Sequence, residues 1–242
     1  MRVAAQPAYM LHARAWRETS LLLEAFTRDF GRVGLVARGV RGARARLPRS
    51  ALEPLQALRL DWTGRGELQT LTAAEPDGVP HAFRGDALLS AMYANELLVR
   101  LTARNDPHPR LFDRYAELLE GLADAPSLAW HLRCFERDLL AAIGYALQLE
   151  TAADTGEHIE AARVYDYLPE EGAVDARERQ AREQPGSVRV RGSALLALAA
   201  GALPGAEDLA ALRRLMRTVI GAHVGERGLQ SWRVLAGTLR QG

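Results

Sequence analysis

Seven arginines fall between residues 28 and 49: Arg28, Arg32, Arg38, Arg41, Arg44, Arg46 and Arg49, against one acid, Asp29. A guanidinium is a planar fork that grips phosphate through paired N–H donors and stacks on flat bases. Crowded together beside Gly39 and Gly42, such groups make a cationic edge suited to a phosphate backbone, which binds by charge neutralisation and counterion release. The alternative is a solvated loop in a protein that uses arginine heavily. The local imbalance favours nucleic acid, because the whole chain is balanced at 31 basic and 30 acidic residues, net +1. Residues 1 to 65 hold 12 Arg and 5 acids, which is +7, so the remainder is −6. No lysine occurs, and a GC-rich coding bias accounts for that as readily as function does.

The candidate phosphate ligands are Arg14, Arg17, Arg32, Arg38, Arg41, Arg44, Arg46 and Arg49. Stacking platforms are scarcer: Tyr9, Trp16, Phe26, Phe30 and Trp62. Phe26 and Trp62 sit in apolar phase and are expected in a core. Tyr9 and Trp16 fit core and platform equally. Many cations and few rings imply electrostatic, sequence-tolerant binding that weakens steeply with salt.

Other chemistries find little support. The lone Cys134 excludes a disulfide framework and a cysteine zinc site. Without lysine there is no Walker ATPase, and neither Gly-x-Ser-x-Gly nor His-Glu-x-x-His occurs. Asp154, Glu157, His158 and Glu160 have a spacing that can hold a metal, though a solvated loop explains them better. We therefore expect no catalytic residue, no metal and no cofactor. Two competing readings stay open: a metal-dependent nucleic-acid enzyme using that acidic cluster, and a protein-interaction scaffold whose arginines are incidental. No apolar run reaches membrane-spanning length and the N-terminus lacks a signal-peptide core, so a cytoplasmic protein without membrane contact is expected.

The elements that must carry these residues change character along the chain. Short strands are predicted at 7–14, 19–27, 32–38, 55–62 and 67–73. In the fourth, Leu58, Leu60 and Trp62 alternate with Arg59 and Asp61. Gly64-Arg65-Gly66 then turns a hairpin. Five antiparallel strands in so short a stretch fit a small closed barrel, the OB-fold being the commonest case. Helical spacing begins after Pro80, with helices predicted at 84–104, 109–123 and 127–143. Asn95 is a polar exception on the apolar face of the first. A short hairpin at 164–168 and 173–174 is plausible inside an otherwise irregular insert, and helices resume at 193–200, 206–223 and 231–239. The fold class is thus α+β: an OB barrel over 1–80, a helical domain over 81–149, an irregular insert over 150–192, and C-terminal helices over 193–242 packing on the helical domain.

The segments Arg17-Glu-Thr-Ser-Leu-Leu-Leu23, Gly31-Arg-Val-Gly-Leu-Val-Ala-Arg-Gly-Val-Arg41, Leu52-Glu-Pro-Leu-Gln-Ala-Leu58, Tyr93-Ala-Asn-Glu-Leu-Leu98, Arg133-Cys-Phe-Glu-Arg-Asp-Leu-Leu-Ala-Ala-Ile-Gly-Tyr145 and Leu229-Gln-Ser231 occur in order over nearly the whole chain. In this set and spacing the sequence resembles the RecO family of bacterial recombination mediators. The resemblance implies binding of single-stranded and double-stranded DNA and strand annealing. It also implies partnership with RecR and the tail of single-stranded-DNA-binding protein, and assistance in loading RecA. An acidic tail with an apolar end needs arginines beside an apolar pocket, and Arg133 and Arg137 are the candidates. An ordinary amphipathic helix, with these arginines paired to Glu136 and Asp138, is the competing reading. Many family members carry a four-cysteine zinc module between the helices. Residues 145–190 hold no cysteine, so that module is expected to be metal-free here. Ser231-Trp232-Arg233 departs from the family's usual Ser-Arg.

Overall fold

Alternating apolar residues drive the N-terminal strands into a barrel. The computed structural model describes residues 1–40, 52–122, 127–177, 186–225 and 228–232. The strands are β1 (Arg2–Trp16), β2 (Ser20–Thr27), β3 (Gly31–Ala37), β4 (Ala57–Thr63) and β5 (Leu68–Pro76). They close in the order β1-β2-β3-β5-β4, with β4 pairing back onto β1. Every pairing is antiparallel except β3 with β5, which is parallel. The interior is filled by Met10, Leu23, Leu35, Leu60 and Trp62, all at 0% exposure. Leu58, Leu60 and Trp62 point inward, as their alternation predicts.

β1 is longer than the pattern suggests. Its first half pairs with β4 and its second half with β2, and a register shift between Met10 and His12 lets one strand serve both. Gly31 opens β3 with φ +65°, and a Cβ there would lie 2.0 Å from the Asp106 carbonyl oxygen. The turn and the close approach both require glycine.

The chain divides into two compact units, Met1–Ala123 with Gln230–Gly242, and Asp124–Leu229. Helices α1 (Gly85–Leu101) and α2 (Pro109–Gly121) belong with the barrel. The expected helical domain over 81–149 is thus divided between the units. Gln230 and Ser231 return to the first unit, where their backbone N–H groups donate to Glu96 at 2.7 and 2.9 Å, so the C-terminal end does not stay with the second.

The second unit holds α3 (Leu128–Ala142), β6 (Val164–Leu168), β7 (Gly172–Asp175), β8 (Val188–Arg191), α4 (Gly192–Ala200) and α5 (Ala206–Val224). The insert is therefore more regular than expected. It forms an antiparallel sheet in the order β7-β6-β8. Tyr165, Tyr167, Ala173, Val188 and Val190 are buried there, so apolar packing supports the sheet. Burial pushes the Tyr167 hydroxyl up to about 12, against the opposing effect of a backbone hydrogen bond with Gln148. α3 packs on α4 and α5, and α5 covers β8. Among the described residues no helix is long and apolar enough to cross a membrane.

Candidate nucleic-acid interface

Strand register sorts the barrel's arginines by role. Across β1, β2 and β3 the rows Met10–Ala25–Val33 and Ala13–Leu23–Leu35 face inward, as do Leu21 and Ala37 in the row after them. The alternate rows face outward: Tyr9–Phe26–Arg32, His12–Glu24–Gly34, Arg14–Leu22–Val36, and Trp16 opposite Ser20.

The first outward row is covered by α2. Tyr9 lies 5.3 Å from the Phe112 ring and 5.1 Å from Tyr115, and Phe26 lies 5.7 Å from Phe112. Tyr9 is thereby part of an aromatic core rather than a platform. Burial, aided by the Glu120 and Asp77 carboxylates, raises its hydroxyl above the ordinary range. Phe26 is fully buried in the same cluster.

An ion cluster joins the first row to the next, where Glu24 stands. The Arg32 guanidinium donates to Glu24 at 2.9 Å and to the Thr102 carbonyl at 2.8 Å, and its side chain is only 14% exposed. Arg104 donates to the same carboxylate, which raises the Arg104 pKa. Arg32 is thus a brace between β3 and the chain after α1. Its Nη1 and Nη2 donors are committed to the fold, so the expected phosphate contact requires them to leave Glu24 and the Thr102 carbonyl. Arg28 is likewise engaged, donating to both Asp113 oxygens at 3.1 and 2.9 Å.

Of the remaining outward positions, those on β1 are open. Arg14 is exposed on β1, and Trp16 is 37% exposed two residues on. Arg17 begins the β1–β2 turn with φ +54° and is exposed. Arg38 is exposed just beyond the end of β3, and Val40 N–H donates to the Thr19 carbonyl at 3.0 Å. That bond ties the exit of β3 to the β1–β2 turn. Arg14, Trp16, Arg17 and Arg38 consequently share one end of the barrel, the three cations and the indole all exposed. Arg41, Arg44, Arg46 and Arg49 lie outside the described residues. Spacing alone left Trp16 undecided; in the structure it is exposed at the end of β1.

The two candidates for tail binding are otherwise engaged. On α3, Arg133 donates to Glu136 at 2.5 Å, with side-chain exposures of 8% and 1%. A buried, paired guanidinium cannot meet an incoming carboxylate without first leaving its partner. Arg137 donates to Asp138 at 2.7 Å and to the Leu198 carbonyl at 2.5 Å, at the end of α4. There it satisfies carbonyls that the helix leaves open and complements the negative end of its dipole. For both arginines the structure shows the pairings of the competing reading, with Glu136 and with Asp138, inside the second unit.

The acidic cluster forms local turns. Asp154 accepts from Thr155 N–H at 3.0 Å, and Glu160 pairs with Arg163 at 2.8 Å. No three His, Cys, Asp or Glu side chains converge as metal ligands among the described residues.

Comparison with known proteins bears on the whole chain. The family model described as Recombination protein O N terminal matches residues 1–78, and that described as Recombination protein O C terminal matches residues 82–233. The chain belongs to the RecO family. A DNA repair protein RecO from Xanthomonas oryzae pv. oryzae is 45% identical over 242 residues, covering 100% of both chains. Those from Nitrosococcus oceani and Stenotrophomonas maltophilia are 47% and 46% identical, covering 96% and 97% of this chain and 92% and 97% of theirs. RecO membership carries with it a role in DNA repair and recombination, and the five-stranded barrel is the RecO N-terminal OB domain.

Proposed function

We propose that this RecO-family chain is a non-enzymatic recombination mediator. In this reading the Trp16 end of its barrel binds single-stranded DNA and anneals complementary strands. One observation carries the site: an exposed indole grouped with Arg14, Arg17 and Arg38 at the mouth of the arginine-rich segment. Phosphates pair with the guanidiniums while a base stacks on Trp16. Arg41, Arg44, Arg46 and Arg49, which follow Arg38 in the sequence, are further phosphate ligands in this reading, for double-stranded as well as single-stranded DNA. Because charge dominates, sequence preference is weak. RecR and the tail of single-stranded-DNA-binding protein are its protein partners in this reading, and RecA loading is the step they serve together. The tail does not use Arg133 or Arg137 as its anchors, since both are held inside their unit.

The test is an oligonucleotide binding and annealing assay over a salt series, with and without EDTA. Affinity is expected to fall steeply with salt, and annealing to persist in EDTA. Cleavage products that vanish with EDTA would move the reading to a metal-dependent enzyme. Absence of salt-sensitive binding would move it to a scaffold.

A further inference from the structure

The outward side of β1 holds one more ring than the tryptophan already assigned to DNA. Past the irregularity between Met10 and His12, the strand pairs regularly with β2: His12 with Glu24, Arg14 with Leu22, Trp16 with Ser20. Side chains alternate between faces, so these three β1 residues share the outward one. All three are exposed. An imidazole and an indole thus stand four residues apart, with one guanidinium midway. At the rise of an antiparallel strand, Arg14 lies about 6.8 Å along β1 from either ring.

The open strip stops at His12. One residue earlier, Leu11 is buried and its carbonyl accepts from the Asn95 side chain of α1 at 3.0 Å. Tyr9 lies against Phe112 and Tyr115 of α2. The strip therefore runs from the turn that bears Arg17 to the place where α1 and α2 close over the strand.

Cross-strand neighbours separate the roles along it. Arg14 stands opposite Leu22, which stands opposite Val36, so that row offers its guanidinium no acid. His12 stands opposite Glu24, whose two carboxylate oxygens accept from Arg32 and Arg104. A carboxylate directly across the strand makes the His12 row a poorer place for a phosphate than the Arg14 row. What His12 offers a nucleotide is a flat ring for a splayed base.

We propose that the bound single strand runs along β1 and that His12 is its second stacking platform. One base stacks on Trp16, a following phosphate pairs with Arg14, and a later base stacks on His12, beyond which α1 and α2 turn the strand away. This rests on the DNA-binding reading of the Trp16 end and gives that site a direction and an end.

The experiment is a competition titration of the full chain with oligothymidylate and with an abasic strand of the same length, over a salt series. His12→Ala is expected to weaken oligothymidylate binding about tenfold, the loss of one stacked base, with the salt slope unchanged. His12→Phe, which keeps a ring, is expected to recover that loss. The abasic strand is expected to bind His12→Ala and the wild type alike. Urea midpoints establish that the variants are folded. A loss in Trp16→Ala with none in His12→Ala would overturn the proposal and leave the Trp16 site standing. A loss in neither would overturn both. An equal loss on the abasic strand, or a lowered salt slope that His12→Phe does not recover, would make His12 a phosphate ligand and overturn its stacking role.

Discussion

Trp16 separates stacking from charge at the level of a single side chain. Replacing it with alanine removes a platform and no charge. Trp16→Ala is expected to cost about 1–3 kcal/mol of single-stranded DNA affinity, with the salt slope unchanged. Equilibrium titrations at several salt concentrations check both halves of that statement. An unaltered affinity with a lowered urea midpoint would make Trp16 a structural residue. Arg133 is the opposite case. Arg133→Glu places a second carboxylate beside the buried Glu136, and is expected to destabilise the second unit by about 3–5 kcal/mol, read from urea unfolding. Any lost tail binding in that variant would therefore arrive together with lost structure. His223 gives a pH signature in the same unit. Its ring lies 4.2 Å from Tyr145, and burial lowers its pKa below the ordinary value, with Glu170 opposing. A histidine with a lowered folded pKa binds fewer protons folded than unfolded, so stability falls as pH drops through the ordinary range near 6.5. Thermal melts between pH 5 and 8 are expected to show that loss in the wild type and less of it in His223→Gln.

Elements were legible where one physical rule dominated. The alternation in β4, the helical spacing of α1, α2 and α5, and the hairpin turn at Gly64-Arg65-Gly66 all appear in the sequence because burial and backbone sterics act locally there. The first half of β1 did not, since Val3-Ala4-Ala5-Gln6 lacks alternation and is held by β4 from far along the chain. β8 was missed because Val188-Arg-Val-Arg191 is short and set in a charged stretch. In the sequence Asn95 is only a polar exception on an apolar face. In the structure its Nδ2 donates to the Leu11 carbonyl at 3.0 Å, and Tyr115 donates to its Oδ1, pinning α1 and α2 to the irregular part of β1. Glu96, beside it, holds the backbone of Gln230 and Ser231. Two of the segments that carried the family resemblance thus meet in space. For the site, spacing identified the cations but not which were already bound. Arg14 and Arg32 look alike in sequence; one faces solvent, while the other is taken up by Glu24 from a neighbouring strand.

That distinction becomes measurable in the behaviour of the whole molecule toward salt. With 31 basic and 30 acidic residues, net charge supplies no general attraction to DNA. Affinity must come from the few guanidiniums that reach phosphate, and each one that does contributes about 0.7 to the slope of log affinity against log salt for a single strand. Arg14→Ala, Arg17→Ala and Arg38→Ala together are therefore expected to lower that slope by about 2. Arg32→Ala removes an equal charge per residue from the same barrel, yet is expected to leave the slope nearly unchanged and to lower stability instead. It deprives Glu24 of one of its two arginine partners and the Thr102 carbonyl of a donor. Loss of a buried, charge-assisted contact of this kind costs about 1.5–3 kcal/mol. Fluorescence titrations in a salt series and urea unfolding, run on the two variants in parallel, give opposite patterns if the register argument holds. A slope reduced by Arg32→Ala as much as by any one of the open arginines would return Arg32 to the DNA track and require the Glu24 cluster to open when DNA binds.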